Sequence, residues 1–293
     1  MHSFLRALAR AGLALATLIL PGSTGLRAQD PPLRIPLDPW RSTISLRATI
    51  GGREGHFVLD TAGGISILTP AFAQKVGLAP WGRLSGHQMM GDRLDMPQVT
   101  EVPVRLGGLD LGRHSFGVFD ILSLYPKDAA PIDGSLALDL FDGRALTLDF
   151  PARTLTLETP GSLGTRAARA TELPVKLSRE IQGRALAASV GVPSAKGLVW
   201  MELDSGNGGT ILISKPYAAL FGLDPTKEGP QAVSFDLAPG VKVSGRSFTP
   251  DMLLDGNLGM PFLKDVAMTL DLGRGRLWIA PGKSPTGGPH PAP

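Results

Sequence analysis

The fold is decided by the stretch Leu203-Asp204-Ser205-Gly206, of which a second copy, Leu59-Asp60-Thr61-Ala62, stands 144 residues earlier. In each copy an apolar run ends in an aspartate, a small hydroxyl residue follows, and glycines come next. This pattern predicts a strand that runs into a tight loop, with a carboxylate at the strand end. Because the acid-bearing loop occurs twice, the sequence predicts a site with two-fold symmetry.

The chain also repeats a longer segment downstream of each loop. Ile132-Asp133-Gly134-Ser135-Leu136 matches Leu254-Asp255-Gly256-Asn257-Leu258, and the match continues without a gap to Ala145–Asp149 and Ala267–Asp271. The repeated units are far longer than the roughly 20 to 50 residues of solenoid repeats. The duplication therefore predicts two similar lobes rather than an array of short repeats.

These loops and segments resemble the pepsin and retropepsin type of aspartic protease, specifically the bacterial retropepsin-like proteins that carry both lobes in one chain. In that family each lobe supplies one catalytic aspartate from a D-[ST]-G loop, and an apolar-apolar-Gly segment threads behind the loop. The second half matches this pattern, whereas Ala62 and Ala137 replace glycine in the first half. The resemblance covers residues 33–281 and implies a mainly β fold, with two β-barrel-like lobes around a pseudo-two-fold bilobal cleft.

The resemblance implies an aspartic endopeptidase, with Asp60 and Asp204 as the catalytic pair. Two carboxylates held about 3 Å apart cannot both ionise cheaply, so they share one proton. The ionised member can then activate a water while the protonated member donates to the scissile carbonyl. Supporting roles in the loops are implied for Thr61 and Ser205, which would hydrogen-bond across the lobe interface, and for Gly63 and Gly206.

Two other functions are open. A catalytically inactive pepsin-fold peptide-binding protein of the cell envelope is suggested by Ala62 and Ala137, since alanine at a positive φ would cost about 1 to 3 kcal/mol. A glycan-binding β-sandwich would need an aromatic platform, and the four Trp and two Tyr are scattered. A single Asp at a strand end is usually a turn former, and only the duplicated context favours the catalytic interpretation.

The chain divides into five predicted regions. Arg6 and Arg10 flank an apolar run, Ala11–Leu20, that small residues follow, which is typical of a secretory signal peptide. The regions are a signal peptide (1–28), a first lobe (33–158), a linker (159–171), a second lobe (172–281) and a disordered Pro- and Gly-rich tail (282–293). No second apolar run reaches spanning length, so we expect a periplasmic or secreted protein without stable membrane insertion.

Composition excludes several partners. Three of the 29 basic residues lie in the predicted signal peptide, which leaves 26 against 26 acidic residues. A chain without excess positive charge does not favour nucleic acid. The histidines show no metal-ligand spacing, and no Gly-x-Ser-x-Gly motif occurs. We therefore expect no metal or cofactor, and a monomer that acts on a protein or peptide.

Two local elements can be predicted in the first lobe. Thr69-Pro70 begins a short helix that Gly77 ends. The polar, glycine-punctuated segment 83–96 carries Met89 and Met90 at its centre. It is either a flap with the two methionines as adaptable contacts in the substrate cleft or an ordinary surface hairpin.

Overall fold

The computed structural model describes residues 31–282, so the predicted signal peptide and the predicted tail beyond Gly282 lie outside the described residues. The strands are β1 (Leu33–Pro36), β2 (Asp38–Trp40), β3 (Thr43–Ile50), β4 (Arg53–Leu59), β5 (Ile67–Leu68), β6 (Trp81–His87), β7 (Arg93–Leu106), β8 (Leu109–Val118), β9 (Gly134–Leu136), β10 (Ala145–Asp149), β11 (Thr154–Leu157), β12 (Thr171–Leu173), β13 (Val175–Ser178), β14 (Ala187–Ser194), β15 (Gly197–Leu203), β16 (Ile211–Ile213), β17 (Gln231–Ala238), β18 (Val241–Phe248), β19 (Gly256–Leu258), β20 (Val266–Asp271) and β21 (Arg276–Pro281). The α-helices are α1 (Pro70–Lys75), α2 (Pro160–Ala167), α3 (Lys215–Ala218) and α4 (Met260–Leu263), and the 3-10 helices are Ile121–Leu124, Leu138–Phe141 and Ala219–Phe221. None of the helices between residues 31 and 282 is long and apolar enough to cross a membrane.

The two lobes are built on sheets with the same strand order. In the first lobe the order is β2-β3-β4-β9-β5-β8-β7-β6, and in the second it is β13-β14-β15-β19-β16-β18-β17. In both sheets the acid-bearing strand pairs in parallel with a short strand, β9 or β19, that arrives from later in the chain. The prediction of a mainly β protein with two similar lobes is thereby confirmed.

The lobes differ at their edges. An extra pairing between β3 and β7 closes the first sheet on itself, and β6 adds a hairpin that has no counterpart in the second sheet. The hairpin includes the segment whose role the sequence left open.

A third sheet joins the lobes, in the order β1-β11-β10-β20-β21-β12. Its central strands, β10 and β20, run antiparallel and place Thr147 opposite Thr269. The two hydroxyls lie 2.8 Å apart and form a buried hydrogen bond. Because these residues occupy the same position in the two repeats, the pseudo-two-fold axis passes between them.

One continuous hydrophobic core runs through both lobes and the joining sheet. Phe57 and Phe116 belong to its first-lobe part, Val190 and Ile211 to its second-lobe part, and Leu148 to the joining sheet. Each fully buried side chain of this kind stabilises the fold by ~1.5 to 3 kcal/mol. The core therefore holds the acid-bearing strands of the two lobes in a fixed relation.

The helices follow local capping signals. Helix α1 begins after Thr69, as the sequence predicted, and the structure adds a hydrogen bond from the Phe72 N–H to the Thr69 hydroxyl at 3.2 Å. Helix α2 lies in the predicted linker, residues 159–171. Its start is fixed by a capping box between Thr159 and Ser162, with proline in the first turn. The helix was not predicted because the segment lacks a regular spacing of apolar residues, although its capping residues are present in the sequence.

Candidate active site

The two sequence-predicted aspartates end equivalent strands, Asp60 after β4 and Asp204 after β15. The Asp60 N–H donates to the Leu136 carbonyl at 2.9 Å, and the Asp204 N–H donates to the Leu258 carbonyl at 3.0 Å. Each of these carbonyls belongs to the short strand that threads behind the loop. The fold therefore fixes the backbone of both aspartates by the same hydrogen bond.

Four hydrogen bonds cross between the loops through Thr61 and Ser205. The Thr61 hydroxyl donates to the Leu203 carbonyl at 2.6 Å and accepts from the Ser205 N–H at 3.0 Å. The Ser205 hydroxyl donates to the Leu59 carbonyl at 2.6 Å and accepts from the Thr61 N–H at 3.1 Å. Both side chains are fully buried. Each loop thus satisfies the polar groups of the other, and neither can shift alone.

Each loop also contacts the opposite lobe through a glycine. Gly64 in the first loop and Gly208 in the second occupy equivalent positions. The Gly64 carbonyl accepts from the N–H of Leu186 in the second lobe at 2.8 Å. Gly208 packs so closely on Ser42 of the first lobe that a Cβ there would lie 2.0 Å from the serine hydroxyl oxygen. The absence of a side chain at Gly208 is therefore a packing requirement.

These contacts bring the carboxyl groups of Asp60 and Asp204 within hydrogen-bonding reach of one another. Gly206 allows the approach, because a Cβ at this position would lie 2.7 Å from Asp60 Cγ. Asp204 is buried and Asp60 is half-buried. The structure therefore joins one acid from each lobe into a pair.

The hydrogen-bond donors around the pair are unequal. Asp204 accepts from the Gly206 N–H at 2.8 Å, the Asn207 N–H at 3.0 Å and the Asn257 side-chain amide at 2.7 Å. Asp60 accepts from the Ala62 N–H at 3.1 Å. The second lobe thus stabilises a negative charge better than the first.

The pKa of each acid is shifted accordingly. Burial and then the charge of Asp204 raise the pKa of Asp60 to about 7, and the N–H groups of Ala62 and Gly63 act in the opposite direction. Burial also raises the pKa of Asp204, but the donors from Asn257, Asn207 and Gly206 act in the opposite direction. The mutual hydrogen bond raises the pKa of Asp60 and lowers that of Asp204. The donors around Asp204 therefore favour the negative charge on Asp204 and the shared proton on Asp60.

The two alanines of the first lobe fit without backbone strain. Ala62 has a negative φ, and Ala137 is extended, with φ −112° and ψ −178°. At Gly259, which corresponds to Ala137, a Cβ would lie 2.4 Å from the carbonyl oxygen of Asn207 and 2.7 Å from its side-chain Cγ. The first lobe has Gly63 in place of Asn207, so its loop has no side chain at that position. Gly63 therefore removes the side-chain part of this conflict for Ala137.

The predicted cleft residues Met89 and Met90 lie at the tip of the β6–β7 hairpin. The Met89 carbonyl accepts from the N–H of Leu253 in the second lobe at 2.9 Å, while the Met90 side chain is 46% exposed. The base of the hairpin packs through Leu84 and Met96 in a small cluster that includes Ala185 of the second lobe. The hairpin therefore bridges the lobes, unlike an isolated surface hairpin.

Several residues at the site were not predicted from the sequence. Asn207 and Asn257 supply donors to Asp204, and only the repeat comparison marks them, as replacements for Gly63 and Ser135. Glu202 lies half-buried on β15. It is the only charged residue in an otherwise apolar strand, and this feature of the sequence could have identified it as a candidate site residue.

Two further residues were also missed. Tyr125 packs edge-on against Trp40, with 4.7 Å between the ring centroids. Its pKa is raised to about 12 by burial and by the charges of Asp60 and Asp204, which places it near the pair. Asp139 accepts from the Ser66 hydroxyl at 2.6 Å behind the first loop. No local pattern indicated either contact. Among residues 31–282, no group of three or more His, Cys, Asp or Glu is arranged to hold a metal ion.

Residues 46–140 match the family model of the aspartyl proteases. This region contains Asp60, its loop and the strand β9 behind it. The match supports an aspartic protease-like family for the chain. No curated protein sequence matches it significantly.

Solved structures with a similar fold include two plant seed proteins. Conglutin gamma, described as a unique basic 7S globulin from lupine seeds, has a TM-score of 0.55 and 10% identity over 86% of this chain and 95% of that chain. Basic 7S globulin from soybean has a TM-score of 0.56 and 9% identity over 85% of this chain and 94% of that chain. At these identities the likeness shows the pepsin-like fold alone.

Proposed function

We propose that the protein is an aspartic endopeptidase that hydrolyses peptide bonds with a water activated between Asp60 and Asp204. The observation that carries this proposal is the paired carboxyls, one from each lobe, held by the crossed hydrogen bonds of Thr61 and Ser205. A purely structural acid at a strand end would not require a symmetric partner from the other lobe. Buried acids with raised pKa values in one site are characteristic of acid–base catalysis.

The unequal surroundings of the two acids assign their roles. Asp204 carries the charge and takes a proton from the attacking water, while Asp60 donates its proton to the oxygen of the scissile carbonyl. The water oxygen bonds to the carbonyl carbon and gives a neutral tetrahedral diol. The C–N bond then breaks as the proton held by Asp204 moves to the leaving nitrogen. A diol hydroxyl returns a proton to Asp60, and the pair regains its starting state without a covalent intermediate.

The pH dependence of hydrolysis tests this proposal. The active pair holds one proton, so kcat/KM should fall at low pH as Asp204 is protonated and fall again as pH rises through the pKa of Asp60, about 7. We expect the maximum in the acidic range with a mixed peptide library, and inhibition by a statyl-type mimic of the tetrahedral diol. Hydrolysis that is maximal in alkali, or that yields to chelators or serine reagents, would contradict the proposal.

The second candidate is a catalytically inactive pepsin-fold peptide-binding protein of the cell envelope. The two alanines suggested it, but both have negative φ, so backbone strain does not support it. The similar solved structures are those of seed globulins, so the fold carries no argument for catalysis. Saturable peptide binding without hydrolysis from pH 3 to pH 8, on a preparation that also binds the statyl-type mimic, would favour this candidate.

We further propose that the protein acts as a monomer on protein or peptide in the periplasm or outside the cell. The export proposal rests on the predicted signal peptide, residues 1–28. N-terminal sequencing of the protein recovered from the envelope and from the medium tests it. A mature N-terminus near residue 29 is expected, whereas an intact N-terminus in the cytoplasm would contradict export.

A further inference from the structure

The two halves of the site differ at one pair of equivalent positions beside the aspartates. Val58 on β4 and Glu202 on β15 each stand two residues before the aspartate of their lobe. Side chains two residues apart on a strand share one face of the sheet. The first lobe therefore presents an apolar residue, and the second a carboxyl, at positions related by the pseudo-two-fold axis.

In the first lobe this face is covered. Val58 is 1% exposed and packs in a cluster with Trp40, Ile121 and Ile132. The covering segment connects β8 to β9, includes a 3-10 helix and brings Tyr125 against the cluster. This half of the site is therefore lined by apolar and aromatic side chains.

In the second lobe the same face is more open. The matching connection between β18 and β19 has only residues 249–255, against 119–133 in the first lobe. Val199 and Met201 on β15 are buried in the core, whereas Glu202 and Trp200 on the other face are half-buried and Leu198 is 45% exposed. A ligand side chain can thus approach Glu202 along an apolar strip.

Glu202 lies next to the catalytic pair. Its partner on the neighbouring strand is Asn257, whose side-chain amide donates to Asp204 at 2.7 Å. Burial raises the pKa of Glu202 to about 8, and the charges of Asp204, Asp60 and Glu180 act in the same direction. The groups that act most strongly on Glu202 are thus other acids.

Two basic residues that lie close to Glu180 in the chain are engaged elsewhere. Arg179 forms two hydrogen bonds with Asp142, at 2.8 and 2.6 Å, and Arg184 donates to Gln98 at 2.5 Å. Across residues 31–282, no ion pair joins Glu202 to a basic side chain. The second-lobe half of the site is therefore an acidic region without its own counter-charge.

We propose that Glu202 selects peptides with lysine or arginine at one of the two positions that flank the scissile bond, while the partly buried Leu122 and Tyr125, which pack on the Val58 cluster, take an apolar residue at the other. This inference rests on the proposed function of the Asp60–Asp204 pair. The cation supplies the missing counter-charge, and its aliphatic stem packs along Trp200. As the cation enters, Glu202 ionises and releases its proton to solvent.

Hydrolysis of matched peptides tests the selection. The peptides are identical except for lysine or norleucine at each flanking position, and the wild type is compared with Glu202→Gln and Glu202→Val, the latter copying Val58. We expect the wild type to show about 10-fold higher kcat/KM for lysine at one position, as a charge-assisted hydrogen bond provides. Glu202→Gln should remove the preference and Glu202→Val should reverse it. Equal rates in the wild type, or a preference unchanged in Glu202→Gln, would overturn the inference.

A binding measurement separates this inference from the proposed function. Titration calorimetry of the Asp60→Asn variant with each peptide, in two buffers of different ionisation enthalpy at pH 7, reports protons released on binding. We expect release with the lysine peptide and none after Glu202→Gln is added. If protons are released on binding of the lysine peptide but the wild type hydrolyses no peptide, the role of Glu202 in selection is retained and the endopeptidase proposal is rejected. If the wild type hydrolyses peptides but shows neither lysine preference nor proton release, the endopeptidase proposal is retained and the role of Glu202 in selection is rejected.

Discussion

At the scale of single residues, the two aspartates differ because their lobes supply different donors. Asn257 donates to Asp204, whereas the first lobe has Ser135 at the equivalent position. Asn257→Ser should therefore raise the pKa of Asp204, since the charged form loses a donor. The acidic limb of the kcat/KM profile is expected to move to higher pH. An unmoved limb in a folded variant would show that Asn257 does not tune the pair.

At the position two residues after the catalytic aspartate, glycine is required in only one of the two loops, as Gly206 and not at Ala62. In Gly206→Ala the new Cβ would lie 2.7 Å from Asp60 Cγ, so the acid must shift and most hydrolysis should be lost. The matched control is Ala62→Gly, where φ is already negative. We expect near-normal hydrolysis and a loss of about 0.4 to 1 kcal/mol in the free energy of unfolding, from unfolded-chain entropy. Urea unfolding and peptide hydrolysis report both effects, and equal activity of the two variants would contradict this account.

At the scale of elements, the crossed loops act as one unit. Thr61→Val leaves the Leu203 carbonyl and the Ser205 N–H without their partner, and Ser205→Ala does the same for Leu59 and Thr61. Each unsatisfied buried group costs about 1 to 3 kcal/mol. A double-mutant cycle by urea unfolding should give a coupling of about 0.5 to 3 kcal/mol. Additive effects would mean that the loops are stabilised independently.

One described backbone hydrogen bond joins the tip of the hairpin to the second lobe. Leu253→Pro removes the N–H that donates to the Met89 carbonyl, whereas Leu253→Ala keeps it. If this bond holds the hairpin over the substrate, the proline variant should have a higher KM and lower kcat/KM than the alanine variant. Matched unfolding curves control for misfolding. Identical kinetics would assign the hairpin a structural role alone.

At the scale of the whole molecule, buried acids make stability fall as pH rises. The pKa values of Asp139, Asp60 and Glu202 are raised to about 6, about 7 and about 8, so the folded protein binds more protons than the unfolded chain above pH ~4. Each such group contributes up to about 1.4 kcal/mol per pH unit while it titrates. The acids with lowered pKa values, Asp95, Asp142, Glu172 and Asp224, act mainly below pH ~4.

Urea unfolding between pH 4 and pH 8 measures this dependence. The free energy of unfolding should decrease across the window, and Glu202→Gln should flatten the part near neutral pH because glutamine has no proton to lose. A wild-type protein that becomes more stable from pH 4 to pH 8 would contradict the raised pKa values.

Features that occur in both repeats could be predicted from the sequence, whereas features that occur in only one repeat were not predicted. The paired loops around Asp60 and Asp204 were visible as a duplication, and so were the two lobes. The contacts of Tyr125 and the tip of the hairpin depend on segments far apart in the chain, so no local pattern marked them. Glu202 has Val58 at the equivalent position of the first repeat. Because the two halves were aligned to find similar residues, a position at which they differ was not singled out.

The central claim is that Asp60 and Asp204 work as one pair, and the most direct test is kcat for Asp60→Asn, Asp204→Asn and the double variant, with the exposed acid Asp251→Asn as control. A shared-proton pair predicts that each single change removes nearly all turnover and that the double change costs little more. Asp251→Asn should retain wild-type activity. Turnover that survives either single change, or losses that multiply in the double variant, would contradict the claim.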